Sequence, residues 1–200
     1  MTTTLIRLQE PRRAAPAPGG WALWQLGFRP FYLLAAGFAA LSVPLWALQY
    51  AGWLGTGLWR GPAWHAHEML FGYTLAVVVG FLFTAGRNWS GHPTPTGRSL
   101  QALALLWMAG RVMVLTPWPL AALLVNMAFP LAAAAGLAQA LVPARNRRNY
   151  FFIGLLVALG LAQGAVHAAL AGWLQWPAAL GLRVALDVVL LIMTVMTGRV

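Results

Sequence analysis

Six long apolar runs, separated by short polar breaks, fill the chain from about residue 31 to its end. They are roughly Phe31–Trp53, Ala63–Ala85, Ser99–Thr116, Pro119–Leu141, Tyr150–Trp173 and Ala178–Val200. Each holds about 18–25 residues, enough at about 1.5 Å per residue to cross about 30 Å of hydrocarbon as a helix. Continuous apolar runs span lipid only as helices, because every backbone N–H and C=O must then be satisfied internally. The pattern predicts an all-α, polytopic membrane bundle of about six transmembrane helices over residues 26–200. Pro117-Trp118-Pro119 predicts a tight turn between the third and fourth helices.

Residues 1–25 are polar and rich in Pro, Ala and Arg, and read as a disordered tail. Arg12-Arg13 is no export signal, since the following apolar run starts only near Phe31 and is too long and aromatic. Trp21, Trp24 and Phe28 form a short interfacial stretch closed by Arg29-Pro30. Two stripes of small residues recur every fourth position: Gly72, Ala76, Gly80 and Thr84, then Gly160, Gly164 and Ala168. Such stripes let helix backbones approach closely in lipid, so the second and fifth helices are expected inside the bundle.

Composition agrees with this reading. Charged residues make up 8% of the chain, against about 25% in a soluble domain, too few to cover a globule in water. The 11 Trp suit a membrane interface. The net charge of +10 would suggest nucleic acid, but the 13 basic residues are all Arg and are scattered over tail, loops and apolar segments. A nucleic-acid binder would gather them on one soluble face. They mark topology instead. Arg7, Arg12, Arg13 and Arg29 precede the first helix, Arg87 and Arg98 flank the second loop, and Arg145, Arg147 and Arg148 fill the fourth, whereas the opposite loops hold only Arg60. By the positive-inside rule the N-terminus is cytoplasmic. The absence of Cys excludes disulfides, thiolate-held metals and covalent haem attachment.

With this topology the polar residues within the apolar runs acquire depths. His65, His67 and Glu68 open the second helix, Arg111 closes the third, His167 lies near the end of the fifth, and Arg183 and Asp187 enter the sixth. All but Asp187 fall in the outer third, which predicts one polar pocket near the non-cytoplasmic face. Charges at such depth face a bundle interior or a cavity. Imidazoles from two helices at one level suit axial haem ligation, and His with carboxylate and Met69 as a softer donor suits copper. Arg111 and Arg183 could grip haem propionates. His65 and His67 point about 200° apart on a regular helix, so they cannot share one ion. The bland alternatives are interfacial hydrogen bonding for the His-x-His-Glu cluster, snorkelling for the two Arg and a structural i,i+4 pair for Arg183–Asp187. His92 reads as a solvated loop residue. The Asn88-Trp89-Ser90 sequon lies on the cytoplasmic side, where glycosylation is not expected.

Several segments resemble the NnrS family of bacterial membrane proteins: Phe28-Arg29-Pro30-Phe31-Tyr32, Trp64-His65-Ala66-His67-Glu68-Met69-Leu70-Phe71-Gly72, Gly80-Phe81-Leu82-Phe83-Thr84-Ala85, Asn88-Trp89-Ser90-Gly91, Asn149-Tyr150-Phe151-Phe152 and Gly198-Arg199-Val200. The His-x-His-Glu-Met-Leu-Phe-Gly run is the most specific. The resemblance implies an inner-membrane protein that binds non-covalent haem b and copper and serves the response to nitric oxide, often beside denitrification. Nitric oxide or a related small molecule would be its ligand. Family members run to about twice this length, which implies an N-terminal half or fragment whose missing half is a partner. Two other classes stay open on the residues alone: a transporter or channel half with a polar path, and a structural membrane subunit. No nucleotide loop, Ser or Cys nucleophile or soluble catalytic domain is present, and no reaction is assigned.

Overall fold

Each apolar run folds as a helix, and successive helices pack antiparallel. The computed structural model describes residues 22–53 and 61–198. A 3-10 turn, Ala22–Gln25, leads into α1 (Phe28–Tyr50). The second span is continuous but not uniform: α2 (Gly61–His67) passes into a π-helical segment, Glu68–Thr74, and then into α3 (Leu75–Ser90). There follow α4 (Gly97–Met113), α5 (Pro119–Leu141), a 3-10 turn at Arg147–Asn149, α6 (Tyr150–Leu170) and α7 (Ala178–Thr197). Among the described residues there is no strand.

Five of the six helical runs are long and apolar enough to cross a bilayer, so the protein is an integral membrane protein. The exception is α4. Its 17 residues reach about 25 Å, and it carries Arg98, Gln101 and Arg111.

The boundaries differ from the apolar pattern where capping overrides hydropathy. Pro30 lies in the first turn of α1 rather than closing a separate stretch, because proline is tolerated there, where its missing N–H would have no helical partner. The second span runs on to Ser90 and stops where Gly91 adopts a left-handed φ of 68°. Ala22–Gln25, inside the tail expected to be disordered, is a 3-10 turn, with Trp24 packed against the core. Trp21, Arg60, Arg199 and the rest of the tail lie outside the described residues.

The small-residue stripes do what their spacing predicts. The second span and the span containing α6 are 56% and 50% buried, against 17% for α1 and 22% for α7. A Cβ on Gly72 would come 2.6 Å from the Phe38 ring, and one on Gly80 would come 3.0 Å from Phe31. These glycines therefore receive α1. Gly160 seats Pro130 and Leu131, and Gly164 seats Met127, so α5 lies against α6. Thr84 accepts from the Phe28 backbone N–H at 3.3 Å and donates to the Gly80 carbonyl at 3.0 Å.

The end of the bundle bearing the Arg-rich loops is packed by shape. Phe31 lies between Phe83 and Phe129, with ring centroids 6.4 and 5.6 Å away. Gly136 leaves room for Pro95, whose Cγ would be 2.6 Å from an added Cβ. Leu82, Leu137 and Leu141 are fully buried beside them. The buried charged and histidine side chains gather at the opposite end.

Candidate functional site

The π-helical segment begins at Glu68, directly after His67. Such segments widen one turn of a helix and recur at functional sites. His65 and His67 precede it on regular helix and point to different neighbours. The His65 ring stacks on Trp46 of α1, with centroids 4.4 Å apart and planes 26° apart. The His67 ring is fully buried, against Phe71 and against His167 of α6. The two imidazoles of the His-x-His motif thus serve separate places, as their angular separation predicts.

His67 and Glu68 begin a chain of buried polar contacts across four helices. His67 Nδ1 donates to Glu68 Oε1 at 2.8 Å. The carboxylate's other oxygen, Oε2, accepts from Arg111 Nη1 at 2.6 Å. Arg111 Nη2 donates to Asn126 Oδ1 at 2.5 Å. The same oxygen accepts from Gln163 Nε2 at 3.0 Å. Asn126 Nδ2 donates to the carbonyls of Ala122 (2.8 Å) and Gly110 (3.2 Å). Glu68, Asn126 and Gln163 are each 1% exposed. Gln163 and His167 sit one turn apart on α6, so both meet the same chain. The His67 and His167 rings stand 5.0 Å apart, edge to face at 87°.

This arrangement is electrically closed. One carboxylate and one guanidinium cancel, and the two amides extend the hydrogen bonding from Arg111 Nη2 to α6. Leaving either charge alone in a buried site would be strongly unfavourable. Arg111 also lies over two aromatic faces, Trp107 at 5.8 Å and Phe38 at 6.0 Å, which favours a cation there. The Trp107 indole in turn donates to the Gly72 carbonyl, within the π-helical segment, at 3.0 Å. Gly72 is part of the site as well as of the packing stripe: a Cβ there would stand 3.0 Å from both Arg111 Nη1 and Glu68 Oε2.

The chemical consequence concerns His67. Glu68 is held as a carboxylate by Arg111 and can only accept, so Nδ1 of His67 carries the proton in their hydrogen bond. A neutral imidazole fixed in this way presents Nε2 as its lone-pair nitrogen. A carboxylate on the far nitrogen is the usual support of a metal-ligating histidine.

Four of the residues singled out from the sequence come together: His67, Glu68, Arg111 and His167. His65 is near but turned to α1. Met69 is half-buried at the next position after Glu68. Arg183 and Asp187 are not part of the pocket, which corrects the expectation of a single outer cluster. Both are exposed on the outside of α7. The reason lies in the packing of that helix, which turns Gly181, Ala185, Val189 and Ile192 inward, with Gly181 seated on Val166 and the Ala162 carbonyl. Arg183 and Asp187, each two residues from Ala185, fall on the other side. Nor do they pair with each other, since the ion pairs among the described residues are His67–Glu68 and Arg111–Glu68. His92 is exposed and bonds the Ser90 carbonyl, as a loop residue should. Asn126 and Gln163 were missed. Their signal was available, as neutral amides two turns inside otherwise apolar helices at the level of Arg111 and His167.

No curated protein and no solved structure matches this chain. The family model described as NnrS protein matches residues 22–200, nearly the whole chain and all the residues of the buried cluster. The chain belongs to the NnrS family.

Proposed function

We propose that the protein is a metal-binding membrane component of the bacterial nitric oxide response, with His67 and His167 as its ligands and Glu68 and Arg111 as their support. Membership of the NnrS family supports the nitric oxide role. The observation that carries the ligand assignment is the meeting of two imidazoles from separate spans, 5.0 Å apart, one of them held by a carboxylate.

The donor set suits a single ion. Metal–nitrogen bonds of about 2.0 Å at a tetrahedral angle place two ring centroids about 5 Å apart. Imidazole nitrogens favour copper among the available divalent metals. The same pair is a poor match for the two faces of one porphyrin, which would hold the centroids about 6 Å apart with a flat slot between them. Haem, implied by the family likeness, would take one imidazole of this chain or none. Among the described residues no three His, Cys, Asp or Glu side chains are placed to hold one metal ion together. An ion on His67 and His167 would therefore keep positions for a small ligand such as nitric oxide, or for a donor from another segment. The ion would supply redox and small-ligand chemistry. The chain's own part is to fix the tautomer of His67 through Glu68, and to hold Glu68 through Arg111 and Asn126.

In the same reading the Arg-rich loops face the cytoplasm of a bacterial inner membrane, α4 is a short sixth span, and the polar cluster lies toward the outer face. The test is survival. Cells lacking the protein, complemented with the wild-type gene or with His67→Ala or His167→Ala, are challenged with a nitric oxide donor. The wild type restores growth and both variants fail to. Full protection by both variants at normal protein levels would refute the ligand assignment.

A further inference from the structure

Outside the polar cluster, Ser42 Oγ, Trp46 Nε1, Gln49 Oε1, Trp64 Nε1 and His65 Nδ1 are buried without a hydrogen-bond partner in the protein. They lie in one region. Ser42, Trp46 and Gln49 follow one another at steps of four and three residues, so they share a face of α1. Trp46 on that face stacks on His65 of α2. The two helices run antiparallel, with Phe38 beside Gly72 and Trp46 beside His65, so Ser42 falls at the level of Glu68. Trp64 precedes His67 and Glu68 by three and four residues, one turn from both. The row thus leads from Gln49, near the end of α1, inward to the buried carboxylate. Among the described residues no buried side-chain atom at the end with the Arg-rich loops lacks a partner in this way.

A buried polar atom without a partner is costly, and lipid supplies none. A row of them marks something that bonds to all of them. The indoles of Trp46 and Trp64 can only donate, Gln49 Oε1 can only accept, and the Ser42 hydroxyl can do both. An anion would leave Gln49 Oε1 unmet, and a metal cation would leave both indoles unmet. Water meets every one, and buried water takes such positions. We propose that this row lines a water-filled entrance between α1 and α2, leading from the end of the bundle opposite the Arg-rich loops to Glu68 and His67. It gives a proton or a small polar molecule a route to the buried cluster that does not cross lipid. The entrance stands apart from the metal assignment, because the atoms that line it are not those of the His67–His167 pair.

Two tryptophans of equal burial test it in the complete wild-type protein in its native membrane. Trp64 is 2% exposed and its indole has no protein partner, whereas Trp107 is 3% exposed and its indole is bonded to the Gly72 carbonyl. A short X-ray pulse makes hydroxyl radicals from water, buried water included, and these oxidise the side chains beside it. Mass spectrometry should find Trp64 oxidised several-fold faster than Trp107. Equally slow oxidation of the two would overturn the proposal with no question of folding. How far the water reaches is read with single thiols, since the chain has no Cys. Ser42 and Ala35 lie on one face of α1, each 1% exposed, with Ala35 two turns beyond the level of Glu68. Silver ion is added on the side of the membrane away from the Arg-rich loops. It should block the thiol of Ser42→Cys and leave that of Ala35→Cys free to react with a maleimide after denaturation. If Trp64 is oxidised but both thiols stay free, the water stops short of Glu68 and the route to the cluster is refuted. Equal blocking of both thiols would also refute it, because the reagent would then enter without a defined path.

Discussion

The two ends of this bundle are held by different physics. At the end with the Arg-rich loops, Phe31, Phe83, Phe129, Leu137 and Gly136 fit by shape, and any apolar group of the right volume would serve. At the other end, His67, Glu68, Arg111, Asn126 and Gln163 fit by hydrogen bonding, with Asn126 Oδ1 accepting from both Arg111 and Gln163. The first end tolerates changes in chemistry that keep volume. The second tolerates few changes of either kind, and it alone interrupts its helix with a π-helical segment. A bilayer offers no water to repair a broken polar contact, so a cluster of this size inside it is retained for a purpose beyond packing.

The largest expected effect comes from removing one charge. Glu68→Ala leaves Arg111 buried without its carboxylate, and should lower stability by about 3–5 kcal/mol, read as earlier denaturation in detergent. Adding Arg111→Leu to it should recover part of the loss. If the single variant were as stable as wild type, the cluster would not be the closed ion pair described. Next comes overpacking, which tests both ends alike. Gly136→Ala drives a methyl into the Pro95 ring, and Gly72→Ala drives one into Phe38 and the ion pair. Each should cost about 1–3 kcal/mol, but only Gly72→Ala should also disturb any spectrum of a bound metal.

Asn126→Leu keeps the size and removes the relay, leaving Arg111 Nη2 and Gln163 Nε2 without their shared acceptor. A loss of about 1–3 kcal/mol is expected for such unsatisfied buried groups. Its counterpart at the apolar end, Leu137→Met, should cost less than about 1.5 kcal/mol. Similar losses for the two would erase the distinction between the ends. The smallest effect is expected from His65→Leu, which forfeits the stack on Trp46, about 0.5–1.5 kcal/mol, and leaves His67 untouched.

Much of this was legible in the sequence. The helices follow from the apolar runs, because lipid leaves a continuous apolar segment no other structure. The meeting of His67, Glu68, Arg111 and His167 follows from antiparallel topology, which turns position along each run into depth. The outward face of α7 did not follow. In a membrane the lipid side and the core side of a helix are both apolar, so periodicity does not reveal which way Arg183 turns. Asn126 and Gln163 carry no charge to mark them among the apolar residues, yet neutral amides in lipid have the same need for partners. The π-helical turn at Glu68–Thr74 has no compositional mark: Glu-Met-Leu-Phe-Gly-Tyr-Thr reads as ordinary helix. Only the contact of Trp107 with the Gly72 carbonyl, and the room beside Gly72, show what the turn does.

The central claim is that His67 and His167 form a metal site rather than a structural pair. It is tested most directly by the absorption spectrum and the copper and iron content of the complete protein, purified as wild type and as His67→Ala and His167→Ala. Copper present in the wild type and lost from both folded variants is the predicted result. Copper and spectrum unchanged in both variants would contradict it.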